Sequence, residues 1–209
     1  MAYEDDEQLE ALRDWWRRHG RSVVVGAVAA LALVVGWQQW HAWQDRQSAA
    51  AADEYSAVLQ AINEGEPEAA ANRLASLRDS HGDTPYAVMA TLAVATAEMA
   101  EGKPQAAADF LAWVGDERPD SPLANLARLR QAEALAAAAE REAALAVLDP
   151  VVDGPLRARY FELRGDLLAE SSDRQAAIEA YQRALSESGG QRRSLVEVKL
   201  LDLGGEPAS

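Results

Sequence analysis

The chain lacks cysteine altogether and has few histidines. None of its 209 residues is cysteine, which excludes disulfide bonds, thiolate metal sites and a cysteine nucleophile. The three histidines, His19, His41 and His81, are scattered, and none has a metal-binding partner at helical spacing. The sequence therefore predicts no metal site and no cofactor.

Positive charge is also scarce. Lysine and arginine number 20 against 34 aspartates and glutamates, so the formal net charge is -14. A nucleic-acid-binding surface must be basic to neutralise phosphates, and we expect no nucleic-acid partner. No glycine-rich phosphate loop follows a strand. The pairs Ser171–Ser172 and Asp116–Glu117 are typical of solvated loops, and we expect the acidic residues on the helical repeats to form a solvated face. We therefore predict no catalytic residues and no enzymatic activity.

Aromatic residues make up 6% of the chain, and β-branched residues are sparse outside one segment. Alanine, the strongest helix former, is abundant, and no segment shows the alternation of a convincing strand. The composition predicts an all-α protein.

One apolar segment interrupts the polar pattern near the N-terminus. Residues 23–37 contain no charged side chain, and extending the segment to residues 22–43 gives roughly 33 Å of helix at about 1.5 Å per residue. This length matches a hydrocarbon core of about 30 Å. A water-soluble helix would need a polar face, which this segment lacks. We therefore predict a transmembrane helix over residues 22–43.

The residues that flank this segment indicate whether it is cleaved and how it is oriented in the membrane. A cleaved signal peptide is the main alternative, but the preceding stretch is long and rich in acidic residues, unlike a signal peptide. Arginines before the segment favour a cytoplasmic tail over residues 1–21, and tryptophans after it are typical anchors at the membrane interface. The predicted anchor and topology residues are Arg17, Arg18, Arg21, Trp37, Trp40 and Trp43. Residues 44–209 then lie on the far side of the membrane.

A short motif recurs four times in the second part of the chain. It occupies residues 66–74, 103–111, 140–148 and 173–181, and its second alanine recurs at intervals of 37, 37 and 33 residues. A period of this length is typical of stacked helix pairs. Together with the turn residues it predicts helices near 47–63, 67–80, 85–101, 104–116, 122–139, 141–149, 155–170, 174–187 and 191–203. We expect the last of these to cap the stack.

The last copy of the motif resembles the tetratricopeptide repeat. Phe161 stands at a consensus spacing, as do five residues to which we assign helix packing, namely Gly165, Leu168, Ala177, Tyr181 and Ala184. Small residues let the two helices approach, and the larger residues fill the space around them. Only the inner, concave helices of such a stack are available to bind a partner, and the sequence does not identify the binding residues.

The N-terminal part carries a more specific resemblance. Residues 3–10, Leu12, Trp15 and Trp16, residues 19–21, Gly26, Gly36, Trp37 and Trp40 are similar to the start of the YfgM-type ancillary subunits of the SecYEG translocon. The resemblance covers nearly the whole chain. It implies a single-pass protein of the bacterial inner membrane with a periplasmic repeat domain over residues 44–209. It also implies a scaffold or co-chaperone role beside SecYEG, with a PpiD-like membrane-anchored periplasmic chaperone and exported polypeptides as partners.

Two other functions remain open at this point. The N-terminal tail could sequester a cytoplasmic response regulator while the outer domain senses envelope stress. Alternatively, the chain could be a generic scaffold for the assembly of another envelope complex. Deletion of residues 1–14 would separate the first alternative from a translocon subunit, and crosslinking from Val28 or Leu31 would separate the second.

Overall fold

The computed structural model of the chain describes residues 2–149, 154–171, 173–188 and 193–206. Within these ranges, the backbone alone is described at residues 2–14, 18, 20–23, 27, 29 and 193. All regular secondary structure in the described ranges is helical. The predicted all-α class is therefore confirmed.

The described part of the chain forms nine helices. They are α1 (Ala2–Asn63), α2 (Pro67–His81), α3 (Pro85–Ala100), α4 (Pro104–Glu117), α5 (Ala124–Ala137), α6 (Arg141–Leu148), α7 (Arg157–Glu170), α8 (Arg174–Glu187) and α9 (Arg193–Asp202). The bounds of α2 to α9 agree with the predicted bounds to within two residues. Proline occupies the first position of α2, α3 and α4, where its missing N–H leaves no helical hydrogen bond unmade.

The first helix differs from the prediction. The sequence predicts a transmembrane helix that ends at residue 43 and a separate helix from about residue 47, whereas α1 continues through this region without a break. Residues 44–46 are Gln-Asp-Arg and include neither glycine nor proline. Because nothing there disfavours helical backbone, charge alone does not end the helix.

The chain divides into two compact units, Met1–Ala50 and Ala51–Ser209. In the first unit, α1 presents exposed apolar side chains, among them Val25, Leu31 and Leu33. The stretch of α1 from Val24 onward is long and apolar enough to cross a membrane, judged by length and composition only.

In the second unit, each helix from α2 to α9 packs against its neighbours in chain order. This sequential packing is typical of a solenoid, in which each repeat contacts only the adjacent repeats.

Arg78 of α2 is one bridge between successive helices. Its guanidinium donates to Thr91 Oγ1 at 3.0 Å and to the carbonyl of Phe110 at 2.9 Å and lies 4.5 Å from the ring centre of Trp113. Burial lowers the pKa of Arg78 to about 10.

Four pairs of buried residues recur along the stack, with one residue on each helix of a pair and a separation of 16 residues. They are Val58 with Leu74, Ala95 with Leu111, Ala132 with Leu148, and Gly165 with Tyr181. In the last pair the sizes compensate, because glycine, the smallest first residue, faces tyrosine, the bulkiest second residue. A Cβ atom built on Gly165 would lie only 2.6 Å from Cδ1 and Cε1 of the Tyr181 ring.

The turns after α1, α3 and α5 also repeat. Gly65 and Gly102 have φ angles of +72° and +74°. The residue 37 positions further on is Ala139, with a φ of 62°. This backbone conformation is easy for glycine and unfavourable for alanine, so the third turn is strained.

Candidate protein-binding groove

One side of α3 is apolar and partly exposed. On α3 this face carries Met89, Leu92, Thr96 and Met99, whose spacing places them on one side of a helix. Both methionines are 38% exposed. Unbranched, polarisable methionine side chains adapt to apolar partners of varied shape.

A cleft of about 200 Å³ separates this face of α3 from α5. Leu92 and Met99 form one wall, and Arg130 and Glu133 of α5 form the other. A second cleft of about 540 Å³ lies between α5 and α7, and Arg130 and Glu133 line it as well. Because they share these two residues, the clefts meet at α5. We call the two together the α3–α5–α7 groove.

The α7 side of the groove is ionic. Arg159 of α7 contacts Glu133 at 2.9 Å and Glu162 at 3.0 Å, and Arg130 contacts Glu133 at 2.8 Å. Lys199 of α9 contacts Glu162 at 3.0 Å and Asp166 at 2.8 Å. This ion network links α5, α7 and α9, and opposite charges alternate along it.

Glu162 lies at the centre of this network and is only 2% exposed. Burial alone would raise the pKa of its carboxyl group, but hydrogen bonds from Lys199 and Arg159 outweigh burial and lower the pKa. Burial likewise disfavours the charged form of Arg159, and hydrogen bonds to Glu133 and Glu162 raise its pKa. The charged forms of both groups are therefore favoured by their partners.

The ion network corrects one expectation from the sequence. Acidic residues on the repeats were expected to form a solvated face, whereas Glu98 and Glu162 are buried. The spacing of Arg159, Glu162 and Asp166 is the sequence signal for a charged stripe on α7. Their partner Lys199 is 33 residues beyond Asp166, and only the packing of α9 brings it into contact.

The five residues assigned to helix packing lie on α7 and α8. Gly165 and Leu168 belong to α7, and the other three belong to α8. Ala177, Tyr181 and Ala184 are buried in one cluster with Phe161, and Leu168 packs against that cluster. Gly165 faces the ring of Tyr181, whose hydroxyl donates to Asp166 Oδ1 at 2.8 Å. Burial, followed by this hydrogen bond, raises the pKa of Tyr181. The assigned packing residues therefore adjoin the ion network at Asp166.

The predicted anchor residues lie on α1. Trp37, Trp40 and Trp43 are exposed, and the rings of Trp37 and Trp40 are 6.0 Å apart. Arg17 is exposed, whereas the side chains of Arg18 and Arg21 lie outside the described residues. Their assignment to membrane anchoring and topology stays a prediction.

Among the residues described, no group of three or more histidine, aspartate or glutamate side chains could hold a metal ion. The groove instead offers apolar surface next to paired charges. Such a surface can bind another polypeptide through packing.

Comparison with known proteins agrees with this architecture. The tetratricopeptide repeat-like domain family matches the chain over residues 13–205. A protein of Haemophilus influenzae, named "Ancillary SecYEG translocon subunit", is 25% identical over 97% of this chain and all of its own length. Proteins of the same name are 27% identical in Aggregatibacter actinomycetemcomitans, with the same coverage, and 26% identical in Escherichia coli K12, over 85% of each chain. The resemblance inferred from the N-terminal residues is confirmed.

Proposed function

The chain belongs to the tetratricopeptide repeat-like domain family, and we propose that it is a membrane-anchored ancillary subunit of the SecYEG translocon. In this role it is a scaffold and co-chaperone that binds polypeptides in the α3–α5–α7 groove. The observation that carries the proposal is the similarity to named translocon subunits along nearly the whole chain. Exported polypeptides and a PpiD-like membrane-anchored chaperone are the partners that we propose.

The part of α1 up to Trp43 supports the proposed anchor. Its apolar stretch suits a bilayer by length and composition, and Trp37, Trp40 and Trp43 follow the most apolar part. The arginines at positions 17, 18 and 21 favour a cytoplasmic tail over residues 1–21. Residues 44–209 are then periplasmic, and the protein is a single-pass component of the bacterial inner membrane.

The groove supports a role in binding polypeptides. Met89 and Met99 expose apolar surface on α3, while the charges on α5 and α7 are engaged with one another. A partner that binds here is therefore recognised mainly by its apolar side chains. Nascent chains that leave a translocon expose such side chains before they fold.

Crosslinking in living cells tests the association with the translocon. A photoreactive amino acid at Val28 or Leu31 in the apolar stretch should capture a SecYEG subunit. The same substitution at the exposed residue Ala75 of α2 is the control and should not. Capture of a different envelope complex from Val28 and Leu31, without SecYEG, would contradict the proposal and favour a generic assembly scaffold.

A second crosslinking experiment tests the groove. A photoreactive residue at Met99 should capture an exported polypeptide or a PpiD-like chaperone, and Leu92→Asp in the same chain should abolish this capture because it places a charge in the apolar cleft. Capture from Val28 should be unaffected by Leu92→Asp. If Leu92→Asp leaves capture from Met99 unchanged, the groove is not the binding site.

Labelling of single cysteines tests the orientation, since the natural chain has none. Ala49→Cys should react with a membrane-impermeant maleimide added to spheroplasts, and Ala11→Cys should react only after the membrane is permeabilised. The reverse pattern would refute the proposed topology.

A further inference from the structure

The last helix is apolar on two opposite sides. Val196 and Leu200 are buried against the preceding repeat. Leu195, Val198 and Leu201 are 53%, 53% and 57% exposed. Among the described residues of the second unit, the only other exposed large apolar side chains are those of Met89 and Met99 on α3, and each of these is 38% exposed. The three α9 residues therefore form a distinct surface, which we call the α9 stripe.

The α9 stripe faces away from the core of its own chain. At about 100° per residue, Val198 is roughly 160° around the helix from both Val196 and Leu200. The terminal helix of a soluble solenoid is expected to have a polar outer face. The helix α9 covers the last repeat, as the sequence predicts for a cap, but its outer face is apolar like that of an internal helix with a further neighbour.

The order of residues along α9 suits a second copy of itself. Leu195 and Leu201 stand three residues on either side of Val198. When two copies of α9 pair in antiparallel orientation about Val198, each Val198 meets Val198 and each Leu195 meets Leu201. A two-fold axis requires this kind of self-complementarity.

The charges at the ends of α9 favour the same pairing. The helix α9 begins at the basic residue Arg193 and ends at the acidic residue Asp202. In a single helix both placements oppose the helix dipole. In the antiparallel pair, each basic start lies beside the acidic end of the other copy, so that charges unfavourable within one helix become favourable between two.

We propose that the α9 stripe is a homodimerisation surface, on which two copies of this chain pair through antiparallel α9 helices. Val198 lies at the two-fold axis. The stripe is smaller than the roughly 800 Å² per partner of a standard interface, so association is weak in dilute solution. The net charge of -14 opposes it only weakly, since charges more than about 8 Å apart are screened at physiological salt.

Single cysteines in the full-length chain in detergent micelles test this pairing. Val198→Cys should form a disulfide-linked dimer on mild oxidation. Leu195→Cys alone should not, because antiparallel pairing offsets the two copies of residue 195 by about 9 Å along the helix axis, beyond the reach of about 7 Å for a disulfide. A mixture of the Leu195→Cys and Leu201→Cys chains should crosslink again.

Other patterns of crosslinks overturn the proposal. Efficient crosslinking of Leu195→Cys alone, with none between Leu195→Cys and Leu201→Cys, would show parallel pairing. Absence of crosslinks from all three positions would indicate that the stripe binds a different protein and not a second copy of this chain. Circular dichroism should show that each variant retains the native helix content, because all three positions are exposed.

A second measurement needs no crosslinker. In light scattering over a range of protein concentrations, Val198→Asp should abolish self-association, while Met99→Asp, at the exposed apolar surface of the groove, should leave it unchanged. Equal loss in both variants, or in neither, would refute the α9 stripe as the dimer surface. Capture of SecYEG from Val28 is independent of this result, so the two proposals can fail separately.

Discussion

The compensation between Gly165 and Tyr181 makes a sharp prediction about the last repeat. A methyl group added at residue 165 would lie 2.6 Å from two ring carbons of Tyr181. The ring cannot move away freely, since its hydroxyl donates to Asp166 at 2.8 Å. In the second and third repeats the equivalent positions hold alanine and leucine instead, Ala95 with Leu111 and Ala132 with Leu148, and all four residues are buried in one cluster.

The structure gives the sign and the size of the effect. Gly165→Ala overpacks the site at a cost of about 1–3 kcal/mol, partly offset by the gain in helix propensity of roughly 1 kcal/mol. We expect a net destabilisation of about 1 kcal/mol. In a Tyr181→Leu background the overpacking disappears, and the same substitution should stabilise the chain by roughly 1 kcal/mol through helix propensity. The effect of Gly165→Ala should therefore change sign.

Urea denaturation of the four chains of this double-mutant cycle, followed by circular dichroism, measures the coupling. Tyr181→Phe is the matched control, because it removes the hydroxyl and keeps the ring. In the Tyr181→Phe background, Gly165→Ala should still destabilise. Equal effects of Gly165→Ala beside tyrosine and beside leucine would refute the size compensation.

Three further predictions concern the turns and the charges. Ala139→Gly should raise the free energy of unfolding by about 1 kcal/mol, because it relieves the backbone strain of a positive φ; no gain in thermal stability would show that the turn is unstrained. Since the folded-state pKa of Glu162 lies below its ordinary value of 4.5, its charge stabilises the fold above that pH, and this stability is lost as the pH falls through the folded pKa. Glu162→Gln should consequently reduce the loss of melting temperature between neutral and acid pH, and an unchanged pH profile would contradict this role. Arg78→Met should lower the free energy of unfolding by roughly 1–3 kcal/mol, because the carbonyl of Phe110 loses its donor; unchanged denaturation monitored by tryptophan fluorescence would refute this.

The ends of the helices were predictable because local chemistry sets them. Proline begins α2, α3 and α4, and Gly65, Gly82 and Gly102 stand within two residues of the ends of α1, α2 and α3. The observed bounds of α2 to α9 lie within two residues of the predicted bounds. The region around residues 43–47 was harder to predict. A change from apolar to charged residues looks like a boundary in the sequence, but it does not disfavour the helical backbone that continues there.

The groove was less predictable than the helices. The spacing of Met89, Leu92 and Met99 is visible in the sequence, but whether that face is buried depends on where the next helix packs. Likewise, the stripe of charges on α7 could be read as solvated until Lys199 is seen to contact Glu162 from α9. Contacts between residues far apart in sequence leave no local pattern.

The sequence alone determined the helical class, the repeat period and the apolar stretch of α1, because helix propensity, turn residues and hydrophobicity act over a few neighbouring residues. The tertiary structure decided which side of each helix is covered. It buried Glu162 among its partners, left Met99 open in the groove, and exposed Val198 on the outer side of the last helix. Those outcomes depend on packing between helices, since the same amphipathic pattern on a helix can face a neighbour or the solvent.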